Sequence, residues 1–124
     1  MTTFRSIRIG KILINEGLII YAKLPPDAHE RRILVTYPVI TSGSIVLTGL
    51  KLLVTEYQCQ QSSIILLCLF CTPDGIRKIC EAYPEITVVV SEINDVAPNH
   101  FGQKYFGKNY THDYVLLFLL TFRY

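Results

Sequence analysis

The residues of this chain best suited to chemistry lie together in Tyr37-Pro38-Val39-Ile40-Thr41-Ser42-Gly43-Ser44-Ile45. Hydroxyls at Thr41, Ser42 and Ser44 surround a glycine, and small hydroxylated residues in a turn leave a ligand room while offering it donors. Ahead of them, Ile33 to Ile40 is a short apolar, β-branched run. Behind them, Ser44, Thr48, Lys51 and Thr55 form a polar stripe through an otherwise apolar segment. That pattern reads as strand, turn, helix. A helix starting here directs unpaired N–H groups and the positive end of its dipole into the turn, where phosphate is the natural guest. The same residue types also cap helices in turns that hold nothing, so the pattern alone leaves both readings open. Other phosphate and catalytic turns are excluded. No Lys follows the glycine as a Walker loop needs, no spaced triple glycine marks a dinucleotide site, and Ser42 and Ser44 lack the Gly-x-Ser-x-Gly frame of a nucleophile elbow.

The elements that must position this turn can be followed along the chain. Arg5 to Ile14 and Leu18 to Leu24 are β-prone runs joined at Asn15-Glu16-Gly17, which predicts a hairpin. Such a hairpin before a parallel sheet is expected to project as an arm and pair with another subunit. Pro25-Pro26-Asp27 closes it, and Asp27 to Arg32 reads as a solvated connector. After a polar break at Gln58 to Ser63, Ile64 to Phe70 is apolar at every position. That predicts a parallel strand buried on both faces. Thr72-Pro73-Asp74 starts a second helix, with Ile76, Ile79, Cys80 and Tyr83 at helical spacing, and Pro84 ends it before a strand at Ile86 to Val90. The middle of the chain is thus β-α-β-α-β with right-handed crossovers expected. In such open sheets ligands sit beyond the carboxyl ends of the strands. Here that is where Thr41 to Ser44, Cys71 to Gly75 and the segment after Val90 would converge. The long loop Asn94 to Gly107 follows. Backbone groups around its Gly102 could read a planar base, whereas His100 lacks a carboxylate or thiol partner and reads as a surface histidine.

Composition narrows the classes. At 124 residues the chain is one domain, and 50% hydrophobic against 18% charged residues suggests apolar surface that needs a partner. A net charge of +2 from dispersed Lys and Arg gives no signal for nucleic acid. Met1 to Arg8 does not read as a secretory signal, so the chain is expected to start where the sequence starts, inside the cell. Without such a signal the sequon Asn109-Tyr110-Thr111 carries no meaning. Cys68-x-x-Cys71 has the spacing of a zinc or redox pair, but no second pair or nearby His completes it, so the four cysteines, with Cys59 and Cys80, read as buried free thiols. The apolar run Tyr114 to Phe122 falls far short of the roughly 20 residues that span a bilayer. It reads as a buried strand, expected to pack on a sheet face left bare by two same-handed crossovers, or as an exposed edge.

Six blocks carry a resemblance: Ser6-Ile-Arg-Ile-Gly-Lys-Ile-Leu13, Tyr21-Ala-Lys-Leu-Pro-Pro26, Tyr37 to Gly43, Thr72-Pro-Asp-Gly75, Tyr83-Pro-Glu-Ile-Thr87 and His100-Phe-Gly-Gln-Lys-Tyr-Phe-Gly107. In this order they resemble the carboxyl-terminal part of uracil phosphoribosyltransferase, most of all the animal homologue. The resemblance implies a hairpin plus a partial type I phosphoribosyltransferase, Rossmann-like parallel sheet over residues 1–107, the hairpin arm at 5–24, and an atypical apolar extension at 108–124. It implies transfer of ribose phosphate from phosphoribosyl pyrophosphate to uracil, giving UMP and pyrophosphate in pyrimidine salvage. With this come Mg2+, GTP binding, a homodimer or association with a full-length homologue through the hairpin, and a cytoplasmic or nuclear location. Phosphoribosyl binding would fall to Tyr37, Pro38, Val39, Ile40, Thr41, Ser42, Gly43, Ser44 and Ile45, and uracil binding to Asn99, His100, Phe101, Gly102 and Gln103.

The chain departs from the family pattern where charge matters. Tyr37 stands where microbial members carry an acid for the ribose hydroxyls, removing a charge-assisted contact worth a few kcal/mol, on the order of 2. Ser44 replaces the second glycine of the phosphate loop and Ile45 its Ser or Thr. Asn99 to Gln103 replaces Gly-Asp-x-Gly-Asp, so both carboxylates are gone. No counterpart of the family's upstream half precedes Arg5. These departures imply a protein whose catalysis is weak or absent, or a non-catalytic module that docks on a full-length homologue.

Overall fold

The structure is a computed structural model that describes residues 6–15, 17–95 and 115–123. It is a mixed α/β fold with one sheet and two α-helices. The hairpin comprises β1 (Ser6–Asn15) and β2 (Leu18–Lys23), with Gly17 at φ +80° supplying the left-handed turn residue. Next come β3 (Arg32–Thr36) and β4 (Val39–Ile40), then α1 (Ser44–Thr55), β5 (Ile64–Cys71), α2 (Pro73–Ala82), β6 (Thr87–Ile93) and β7 (Val115–Arg123). β3 and β4 are one strand in effect. Ile33 to Thr36 pair with Ile64 to Leu67, and Val39 and Ile40 continue in the same register against Phe70 and Cys71. Pro38, with no N–H, makes the break.

β3, β5 and β6 run parallel, and the crossovers through α1 and α2 step in one direction, so both helices cover the same face. Under them lies a single core that joins Ile33, Val35, Leu66 and Cys68 of the strands to Val46, Leu50, Leu53 and Ile79 of the helices. Among the described residues the other face has no such cover. Leu67 and Leu69 point outward and are exposed. The expectation that Ile64 to Phe70 is buried on both faces is therefore corrected: its burial alternates, because none of the described elements lies on its second side.

The apolar carboxyl-terminal run is a strand, but it covers no face. β7 inserts in the plane of the sheet, antiparallel to both β1 and β3, with Leu117, Leu119 and Thr121 buried and Phe118 exposed. Pairing with β1 on one side and β3 on the other serves the peptide groups of Phe118 to Phe122 within the sheet plane, which laying the run across a finished sheet face could not do. The same strand fixes the hairpin. β1 pairs with β7 from Ser6 to Ile14, so the hairpin is the outer edge of the sheet where an arm standing off the body was expected.

Two smaller expectations also change. Ala28 and Arg31 of the connector are buried, and Arg31 Nε lies 2.8 Å from Asp27 Oδ1, so the connector is not wholly solvated. Cys59, Cys68 and Cys71 are buried thiols, while Cys80 is exposed because it falls on the outer side of α2. Among the described residues no helix is long and apolar enough to cross a membrane.

Candidate functional site

The turn between β4 and α1 is held on three sides. From the strand, Tyr37 N–H donates to the Leu67 carbonyl at 3.1 Å, and the Pro38 carbonyl accepts from Leu69 and Phe70 N–H, each at 3.0 Å. From the helix, Gly43 is the N-cap of α1, with φ +80°, and its carbonyl accepts from Leu47 N–H at 2.8 Å. From behind, the start of α2 presses on the turn. Thr72 N–H donates to the Ile40 carbonyl at 3.0 Å. The Thr72 hydroxyl donates to the Thr41 carbonyl and accepts from Gly75 N–H, capping α2.

Two glycines make this contact possible. A Cβ on Gly43 would lie 3.3 Å from the Gly75 carbonyl oxygen and 3.4 Å from Ile79 Cγ1, on a backbone conformation that side chains already resist. A Cβ on Gly75 would lie 2.5 Å from the Thr41 carbonyl oxygen. Glycine at both positions lets α2 brace the turn directly through main chain.

What the turn presents outward is a set of donors. Ile45 and Val46 lie in the first helical turn, where N–H groups have no intrahelical acceptor. Ser42 and Ser44 are exposed with their hydroxyl oxygens 3.1 Å apart, and the Ser44 N–H lies 3.4 Å from Ser42 Oγ. Residues 37 and 39–46 line a concavity of about 40 Å³. Drug-sized ligand pockets run to about 300 Å³ and more, so this hollow suits a phosphate group and not a whole nucleotide.

Every residue of the phosphoribosyl set, Tyr37, Val39, Ile40, Thr41, Ser42, Gly43, Ser44 and Ile45, lines this hollow except Pro38, whose carbonyl serves the sheet. The uracil set, Asn99, His100, Phe101, Gly102 and Gln103, lies outside the described residues. Asn94, just before it, donates from its N–H to the Cys71 carbonyl at 3.1 Å. The segment after β6 therefore sets out from beside the turn that braces Thr41, and the ends of all three parallel strands converge.

Among the described residues no Asp, Glu, His, Lys or Arg lines the hollow. What the described lining offers a ligand is hydroxyls and main-chain dipoles, and it holds no group that takes up or gives a proton near neutral pH. It does not fit Mg2+ either. That ion is held through carboxylates and phosphates, and among the described residues no three His, Cys, Asp or Glu side chains gather to hold a metal. The acid at the start of the bracing helix, Asp74, is occupied on the surface of α2. A hydrogen bond from Lys78, Nζ to Oδ2 3.2 Å, and the neighbouring Arg77 hold its carboxyl below the usual carboxylate range.

The bracing role of Thr72 and Gly75 is the part sequence reasoning missed. Thr72-Pro73-Asp74 announces a cap, but that its hydroxyl also reaches a carbonyl 31 residues earlier is a tertiary fact.

Comparison with known proteins bears on the same residues. A family model described as uracil phosphoribosyltransferase matches residues 1–104. The chain is 49% identical over 109 residues to the "Uracil phosphoribosyltransferase homolog" of Gallus gallus, covering 83% of this chain and 39% of the relative. The protein of the same name from Homo sapiens is likewise 49% identical over 109 residues, with 35% of its length covered. "Uridine kinase-like protein 3" of Arabidopsis thaliana is 38% identical over 117 residues, a quarter (25%) of its length. The chain thus spans under two-fifths of these relatives. Among solved structures, the AQ2163 protein from Aquifex aeolicus shares the fold, with TM-score 0.60 at 14% identity over 79% of this chain and 52% of that one.

Proposed function

The chain belongs to the uracil phosphoribosyltransferase family, and from that premise we propose that its β4–α1 turn binds the 5′-phosphate of a phosphorylated ribose, as in phosphoribosyl pyrophosphate or UMP, with transfer to uracil weak or absent. The observation that carries the reading is the brace on that turn. It fixes a helix N-terminus and the Ser42 and Ser44 hydroxyls around a hollow of phosphate size. Phosphate oxygens would accept from the N–H groups of Ile45 and Val46 and from both hydroxyls. The α1 dipole adds its positive end.

The same lining explains why chemistry would be slow. Transfer breaks the bond from ribose C1 to pyrophosphate, which leaves with the bonding pair, and forms one from C1 to a ring nitrogen that gives its proton to solvent, building positive charge on the sugar in passing. Carboxylates would stabilise that charge, and the hollow has Tyr37 and hydroxyls in their place. The chain's residues bind and orient the phosphate end, and none of those lining the hollow moves a proton.

Calorimetry with phosphoribosyl pyrophosphate, UMP, inorganic phosphate and uracil tests the reading, together with an assay for UMP formation. Binding of the phosphorylated ligands in competition with inorganic phosphate, with little or no UMP formed, is expected. Absence of heat with every phosphorylated ligand would overturn it.

A second reading, docking on a longer member of the family through the hairpin, is supported by Leu18, Ile20 and Tyr21, which the hairpin exposes. Co-purification with such a member, lost in Leu18→Ser/Ile20→Ser, is the expected result. Unchanged capture by that variant would refute it.

A further inference from the structure

Thr72, which braces the β4–α1 turn, is engaged through its N–H, its hydroxyl and its carbonyl alike. The N–H donates to the Ile40 carbonyl at 3.0 Å, while the hydroxyl donates to the Thr41 carbonyl and accepts from Gly75 N–H. The carbonyl takes the first main-chain bond of α2, from Ile76 N–H at 3.0 Å. A carbonyl oxygen has a second lone pair, and here the Cys71 thiol meets it, with Sγ 3.3 Å from the Thr72 oxygen.

Cys71 ends β5 and is wholly buried in the core that the strands share with both helices. That core is apolar, and packing alone asks for no donor there. Burial also raises the Cys71 thiol above its ordinary range, so that it keeps the proton it donates. The bond it makes has a geometric effect. Pro73 bars Thr72 from the helical region but leaves it a broad extended one. A thiol anchored one residue earlier and bonded to the Thr72 carbonyl selects one point in that region, φ −80° and ψ 152°. The same point aims the Thr72 hydroxyl at Thr41. Cys71 is itself held from the other side, since its carbonyl accepts from Asn94 N–H at 3.1 Å.

We propose that Cys71 is a positioning residue for phosphate binding: its thiol fixes the Thr72 carbonyl, which keeps the Thr72 hydroxyl on Thr41 and the β4–α1 turn in shape. The proposal rests on the reading of that turn as a phosphate site.

Comparing Cys71→Ser with Cys71→Val in the full chain sets donation against packing. Burying a serine hydroxyl among apolar side chains is costly, so valine suits the core better, but only serine can donate to the Thr72 carbonyl. Were Cys71 there to pack, binding would follow stability and the valine variant would bind better. The reverse order is expected. In calorimetry with UMP and inorganic phosphate, Cys71→Val should bind about threefold more weakly than the wild type, a loss of the size a weak S–H bond carries, and Cys71→Ser close to the wild type. Hydrogen exchange without ligand reads the brace itself. Gly75 N–H, bonded to the Thr72 hydroxyl, should exchange about threefold faster in Cys71→Val, measured against the amides of β5, and at the wild-type rate in Cys71→Ser. Should Cys71→Val fail to fold, Cys71→Ala, smaller and equally without a donor, takes its place. Serine binding no tighter than valine, or Gly75 exchange unmoved by the loss of the donor, would overturn the proposal. If the wild type gives no heat with any phosphorylated ligand, the phosphate reading falls by itself, and Gly75 exchange still decides whether Cys71 holds the brace.

Discussion

At the scale of single residues, a few atoms hold the β4–α1 turn in place. Gly43→Ala puts a methyl group at φ +80° and 3.3 Å from the Gly75 carbonyl. A loss of about 1–2 kcal/mol in chemical denaturation is expected, together with loss of phosphate affinity. Gly17→Ala is the control, because Gly17 shares φ +80° with nothing within 4 Å; it should cost about 1 kcal/mol and leave affinity alone. Thr72→Val removes both the α2 cap and the bond to Thr41, for about 1–2 kcal/mol, and should weaken UMP binding several-fold in the same titration. The thiols make a pH prediction. Burial pushes Cys59 up to about 11, and burial with the neighbouring Cys71 pushes Cys68 up to about 12. In the unfolded chain thiols ionise from about pH 8.5, so there the unfolded state sheds protons that the folded state keeps. Stability is therefore full below about pH 8 and falls as pH rises towards 11. Urea melts of the wild type and of Cys59→Ala/Cys68→Ala across that range check it: the variant's slope should be shallower.

At the scale of elements, the sequence was most legible where one local rule governed each position. The strand at Ile33 to Ile40, the glycine-started helix, the Thr72-Pro73 helix start and the order β-α-β-α-β all followed from period, cap and breaker. The turn that lines the hollow was readable for the same reason. Illegible were relations between distant segments. Nothing in Tyr114 to Phe122 says that it pairs with Ser6 to Ile14 on one side and Arg32 to Thr36 on the other. Nor does a run of apolar residues at Ile64 to Phe70 reveal that half of them meet no covering layer. Gly49 shows how closely β7 is fitted: a Cβ there would lie 2.5 Å from Leu117 Cδ1, and Leu117 is wholly buried. Gly49→Ala should therefore cost about 1–3 kcal/mol through overpacking, despite alanine's better helix propensity. If β7 carries the hairpin, hydrogen exchange in that variant should speed along β1 and leave β5 protected.

At the scale of the whole molecule, the chain joins a braced turn at one end of its sheet to a face that is apolar and uncovered among the described residues. It spans under two-fifths of its animal relatives, and the parallel core that positions the turn is assembled nonetheless. The central claim, however, is the cradle of main-chain amides, and amide-resolved NMR during titration with UMP tests it most directly. The largest shifts are expected on Ser44, Ile45 and Val46, with inorganic phosphate reproducing them and Gly43→Ala abolishing them. Shifts confined to other residues, or none at saturating UMP, would contradict it.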